Sequence, residues 1–224
     1  MTRARDESGF MTGGVLDEKP AAEKDKKAKA GVVPQYEIVA MAASAGGLAA
    51  LGTVLGGLPA DLPAPVVVVQ HLDPRHHSLI AEILDKRTQL DVEEARDGDR
   101  LRAGRVYVAK PDGHLLVNPD GTVTLTQSEL VHFVRPSADL LFESVAASYR
   151  DRAIAVVLTG SGSDGSMGVK AIKTTGGTVI VQDQQTSEFY GMPGAAIETG
   201  SVDFILPVDE IATALTTLVK GAPK

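Results

Sequence analysis

The sequence predicts an α/β domain: a doubly wound, mainly parallel sheet with helices on both faces and an antiparallel hairpin insertion. Three observations carry that prediction. Uninterrupted apolar runs rich in β-branched residues, Val66–Val69 and Ile154–Leu158 among them, suit strands covered on both faces. Segments with apolar residues at helical spacing alternate with those runs. Between them lies a stretch of short alternating segments around Asn118-Pro-Asp-Gly121, which is turn chemistry for a hairpin.

Taken in order, residues 1–34 differ from the rest. They hold seven Lys/Arg and six Asp/Glu with few large apolar side chains, a net +1, so residues 35–224 carry −8 against the whole chain's net −7. A disordered, charged tail is expected there, with the folded domain over residues 35–224. Tyr36–Ala42 reads as the first strand and Gly46–Leu55 as its helix, stopped by Gly56-Gly57 and Pro59. Pro65–Val69 is the second strand and Ser78–Arg87 the next helix. Residues 104–109 and 114–117, with Thr122–Thr126 after the turn, read as an antiparallel section at one sheet edge. Pro136-Ser137 opens an amphipathic helix to Tyr149, with Leu140, Leu141, Val145 and Tyr149 on one face. Ile154–Leu158, the helix Ser166–Thr175, and the strand Thr178–Val181 come next. Phe204–Leu206 and the helix Asp209–Val219 complete the pattern.

Composition narrows the function. An acidic chain disfavours a nucleic-acid partner. With no cysteine, thiolate metal sites, disulfides and cysteine nucleophiles are all excluded. The first residues do not read as a signal peptide and no stretch is long enough to cross a bilayer, so a cytoplasmic protein is expected.

Ligands of doubly wound sheets bind outside the carboxyl ends of the strands, so the side chains at those ends matter most. The first strand ends at Ser44, followed by Ala45-Gly46-Gly47, the start of a helix. The second runs into Gln70-His71, and the strand 154–158 into Thr159-Gly-Ser-Gly-Ser-Asp164-Gly165. A hydroxyl, an imidazole and a carboxylate on one rim are the parts of nucleophilic catalysis. His71 would take the Ser44 proton, with Asp164 orienting the ring. Backbone N–H groups at Ala45 or Gly46 and around Ser161 would face the oxyanion, with Gly162 and Met192 also in the pocket. Each residue has a plainer reading: Ser44 as a helix N-cap, His71 as a strand-end histidine bonded to a carbonyl, Asp164 as a turn brace.

Two other chemistries fit local patterns. Gly160-x-Gly162-x-x-Gly165 follows a strand, precedes a helix, and has Asp183 at the offset of a ribose-binding acid, as in dinucleotide-binding oxidoreductases. Against this, Asp164 would set a negative charge where a pyrophosphate should lie. His71, Asp73, His76 and His77 are metal-ligand types within seven residues, but they span a strand end and a helix start. No metal site is assigned. His114 and His132 read as structural or surface residues able at most to edge the pocket.

Several motifs together extend the reading: Ala43–Gly47, Val69-Gln-His71, Gly104–His114, Arg135–Phe142, Leu158–Gly165 and Tyr190-Gly-Met-Pro193. In this order and spacing the chain resembles the catalytic domain of the chemotaxis receptor methylesterase family (protein-glutamate methylesterase, CheB-type). The resemblance implies hydrolysis of glutamyl methyl esters on receptor helices, without a cofactor, by Ser44, His71 and Asp164. It also implies deamidation of receptor glutamines as a second activity, and contact with the membrane only through the receptor. Ser161 departs from the family, which carries methionine at that place. The family's phosphorylatable receiver domain is not matched, because residues 1–34 are too short to form one, so control by phosphorylation within this chain is not expected. A receptor-binding module without catalysis is the remaining alternative.

Overall fold

The computed structural model describes residues 36–71 and 78–221; the expected tail and the Asp73, His76 and His77 positions lie outside them. The strands are β1 (Ile38–Ala43), β2 (Val66–Gln70), β3 (Asp91–Glu94), β4 (Arg105–Val108), β5 (His114–Val117), β6 (Val123–Thr126), β7 (Ala153–Val157), β8 (Thr178–Gln182) and β9 (Phe204–Leu206). The helices are α1 (Gly47–Gly56), α2 (Ile80–Asp85), α3 (Ala138–Tyr149), α4 (Ser166–Thr174), α5 (Gly191–Glu198) and α6 (Val208–Lys220). Seven strands form one parallel sheet in the order β3-β4-β2-β1-β7-β8-β9, and β5-β6 form a separate antiparallel pair.

Side-chain alternation in β1 shows why this sheet needs two covers. Val39, Met41 and Ala43 pack with α1, α2 and α6 on one face. Ile38, Ala40 and Ala42 pack with α3, α4, α5 and the β5-β6 pair on the other. A strand sealed on both sides gains nothing from polar alternation, hence the unbroken apolar runs of β1, β2 and β7.

Three details depart from the sequence reading. Arg105–Val108 is not part of an antiparallel edge; it pairs in parallel between β2 and β3, with Val106, Tyr107 and Val108 buried. The hairpin is held instead against α3, where Ser144 Oγ accepts from Val117 N and Ser148 Oγ donates to Val117 O. β3 has no counterpart in the sequence pattern, since Asp91-Val-Glu-Glu94 is largely charged; it survives as a sheet edge, where charge is tolerated and deters further pairing. α5 is equally hidden. Pro193 sits in its first turn, where the N–H groups have no intrahelical partner to lose.

Candidate active site

Three adjacent strands of the sheet, β2, β1 and β7, deliver the predicted rim. The β1 ladder continues past its end: His71 N donates to Ala43 O at 3.0 Å and Ser44 N to Thr159 O at 3.0 Å. Ser44 therefore leaves the sheet flanked by His71 on one side and the Thr159–Gly165 loop on the other. The chain then turns into α1 through Gly46, at φ 75°, and Gly47 N closes the turn on Ser44 O at 2.9 Å. A positive φ suits glycine, and Glu188 lies flat against Gly46 where any Cβ would stand.

Gln70 braces this corner. Its Nε2 donates to Ser44 O at 2.7 Å and to His71 O at 3.0 Å, tying the two strand ends together. Its Oε1 is buried with no hydrogen-bond partner among the described residues and occupies the space beside Gly47 that a side chain would need. Gln70 is visible in the sequence only as the residue before His71.

Asp164 is the most heavily bonded group of the site. Its Oδ2 accepts from His71 Nε2 at 2.8 Å and from Ala138 N at 2.6 Å. Its Oδ1 accepts from Ser137 Oγ at 2.9 Å and Asp139 N at 3.1 Å. The carboxylate thus sits on the amino end of α3, where free N–H groups and the helix dipole favour an anion. Burial pushes its pKa up, but the hydrogen bonds from His71, Ala138 and Asp139 more than offset this and hold it below the ordinary 3.8. An ionised carboxylate only accepts, so His71 Nε2 carries the proton and Nδ1 is left as the basic nitrogen. Ser137, the N-cap of α3, is legible as a helix start but not as a partner of Asp164.

Ser44, His71, Ser161, Gly162, Ser163 and Asp164 line one cavity of about 490 Å³, closed on a further side by His132, Phe133 and Val134. The backbone N–H groups of Ala45, Gly46, Ser161 and Gly162 have no hydrogen-bond acceptor among the described residues. Ser161 and Gly162 line the cavity, whereas Ala45 and Gly46 follow Ser44 and are not among the lining residues. Met192 does not line the cavity: it is buried under the loop, its N–H donating to Gly160 O at 2.8 Å and its sulfur packed beside Gly160. It supports the loop rather than forming the wall.

The histidines separate. His114 is buried; its Nδ1 accepts from Ser137 N at 3.1 Å, so Nε2 donates to Glu129 O at 3.0 Å, a structural role. His132 is on the cavity wall, the pocket-edging position that the sequence reading allowed it. Asp183 accepts from both the N–H and the hydroxyl of Thr186. It is thus committed to a local turn rather than presented to a ribose. Of the residues considered for a metal, only His71 lies within the described part.

Comparison with known proteins agrees with this architecture. A family model described as CheB methylesterase matches residues 39–215. The protein-glutamate methylesterase/protein-glutamine glutaminase 2 of Anaeromyxobacter dehalogenans is 47% identical over 83% of this chain and 54% of its own length. A putative protein-glutamate methylesterase/protein-glutamine glutaminase of Leptospira interrogans is 42% identical over 79% of this chain and 92% of its own. The chain thus spans about half the length of the first relative. The crystal structure of the Thermotoga maritima CheB methylesterase catalytic domain superposes with a TM-score of 0.79 at 40% identity, covering 82% of this chain and 99% of that one. The chain belongs to the CheB methylesterase family.

Proposed function

We propose that this chain is a serine esterase that removes methyl groups from glutamyl side chains of chemotaxis-type receptor proteins. Ser44 is the nucleophile, His71 the general base and Asp164 its orienting partner. The observation that carries the reading is the Asp164 carboxylate, which is pinned by α3 and accepts from His71 Nε2. That bond fixes the ring tautomer in which Nδ1 can take a proton.

The reaction follows from these groups. Ser44 Oγ attacks the ester carbonyl carbon as its proton passes to His71. The resulting oxyanion is met by the free N–H groups of Ala45 or Gly46 and of Ser161. Collapse expels methoxide, which leaves as methanol with the proton from His71, and a glutamyl ester of Ser44 remains. Water then gives a proton to His71 and attacks that ester. Ser44 recovers its proton and a glutamate side chain is released. With a glutamine substrate the same steps expel ammonia, which is the glutaminase activity named for the relatives. Because the N–H at residue 161 is the acting group in this reading, its serine side chain is compatible with the chemistry.

Residues 1–34 are proposed as a charged lead outside the catalytic domain of residues 35–224. No helix among the described residues is long and apolar enough to cross a membrane. A cytoplasmic enzyme meeting the membrane only through its receptor is the setting that suits this. The test is methanol release from a methylated receptor fragment by wild type and by Ser44→Ala. Loss of turnover on the order of 10⁴ or more is expected in the variant; activity within about tenfold of wild type would refute the triad.

A further inference from the structure

The cavity's far wall is a two-residue turn of unusual make-up. Val131 and Val134 bridge each other, with Val134 N donating to Val131 O at 2.9 Å and Val131 N to Val134 O at 3.2 Å. Between them His132 has φ 49° and Phe133 φ 64°. Two successive positive φ values are the geometry that Asn-Gly supplies without strain; a bulky aromatic there is disfavoured. Phe133 is also 94% exposed, so no packing inside the chain repays its presence. A residue that is unfavourable for its backbone and idle in the fold points to a role outside the fold.

The turn lies against the amino end of α3. His132 Nε2 approaches Asp139 Oδ2 to 3.2 Å, and the Asp139 side chain is 3% exposed. Asp139 Oδ1 accepts from Gly168 N at 2.7 Å, while Asp139 N is one of the donors to Asp164. The same helix end therefore supplies a donor to the catalytic carboxylate and lies beside the turn, where Asp139 Oδ2 is buried next to His132 with no hydrogen-bond partner among the described residues.

We infer that the His132–Phe133 turn is a substrate-docking element, with Phe133 as its anchor on the polypeptide that carries the ester. This rests on the methylesterase reading above. A glutamyl side chain reaching Ser44 must enter the cavity that Phe133 and Val134 border. The main chain bearing it then crosses the rim, where Phe133 covers apolar side chains flanking the scissile residue. A small ester, with nothing beyond the cavity, makes no such contact. Phe133 is thus a specificity determinant for protein substrates and takes no part in bond making.

The test compares kcat/KM for a methylated soluble receptor fragment with kcat/KM for a small soluble ester. Phe133→Asn keeps the positive φ that the turn requires and removes the ring. The ratio of fragment to small-ester kcat/KM is expected to fall about tenfold or more, through KM rather than kcat, as for a buried aromatic anchor. Phe133→Tyr should restore most of that ratio. An unchanged ratio in Phe133→Asn overturns the inference. So does an equal loss on both substrates, which would make the turn a structural support of the triad. A change in oligomeric state with no change in ratio would assign Phe133 to self-association and overturn it as well. Failure of the underlying reading shows differently: wild type would then hydrolyse the small ester and release no methanol from the fragment, and the docking role would fall with it.

Discussion

Gly160→Ala offers the sharpest test of how the site is held. Gly160 has no positive φ, so alanine is acceptable to its backbone and only the new methyl group matters. That Cβ would stand 2.8 Å from Ser44 Cβ and closer still to Met192 Sδ, against 3.4 Å at the near limit of ordinary contact. Relief by about 0.2 Å on the serine side is the minimum, and about 0.6 Å restores ordinary contact. The loop cannot easily yield, because Gly160 N donates to Phe189 O at 2.9 Å and Met192 N to Gly160 O at 2.8 Å. Ser44 is similarly tied through its own N–H to Thr159. Overpacking of this kind costs about 1–3 kcal/mol, a fall of roughly 2–10 °C in Tm for a chain of this size. The rate suffers more, since a displacement near 1 Å costs about 10²-fold; a loss of at least about tenfold in kcat is expected. Methanol release and thermal unfolding measure the two effects. Gly200→Ala is the control: φ is 68° and nothing lies within 4 Å, so it should lower stability by about 1 kcal/mol and leave kcat alone. A Gly160→Ala enzyme with kcat within about twofold of wild type and an unchanged Tm would refute the geometry of the serine corner.

The same contacts carry further expectations. Asp164→Asn should lower kcat on the order of 10⁴-fold, because the amide can hold His71 in the wrong tautomer; stopped assays of methanol release read this directly. The depressed pKa of Asp164 means that its ionised form stabilises the fold above pH 3.8, and that this contribution is lost as pH falls through the lowered folded value. The stability deficit of Asp164→Asn in urea should therefore shrink as pH drops below 3.8, and a deficit constant down to pH 2 would contradict it. Asp139 runs the other way: burial holds its pKa above 3.8, opposed by the Gly168 N–H and reinforced by the Asp164 charge. Asp139→Asn should gain stability relative to wild type as pH rises through that raised value, measured in the same titration. Gln70→Leu removes the brace between Ser44 and His71 and should cost about 1–3 kcal/mol, since two carbonyls lose a donor, with kcat lower by about tenfold.

The sheet was legible wherever burial on both faces forced an apolar run, as at Val66–Val69 and Ile154–Leu158. It was illegible where other constraints won. Asp91–Glu94 is charged because a sheet edge faces water, and Gly191-Met-Pro-Gly194 hides a helix because its first turn requires no backbone donors. Of the site, the strand-end residues Ser44, His71 and Asp164 could be found because a parallel sheet aligns its carboxyl ends. Ser137 and the α3 N–H groups could not be joined to Asp164 without the fold, since 25–27 residues separate the partners. The turn at His132-Phe133 gave no signal at all, because its backbone geometry contradicts its residue types.

The central claim is that His71, oriented by Asp164, activates Ser44 for attack on an acyl carbonyl. Covalent labelling by a serine-reactive fluorophosphonate, read by mass spectrometry of the peptide containing Ser44, tests it most directly. One adduct on Ser44, formed on the order of 10⁴-fold more slowly in His71→Ala, is the predicted result. An adduct on another residue, or labelling of Ser44 at the same rate without His71, would contradict it.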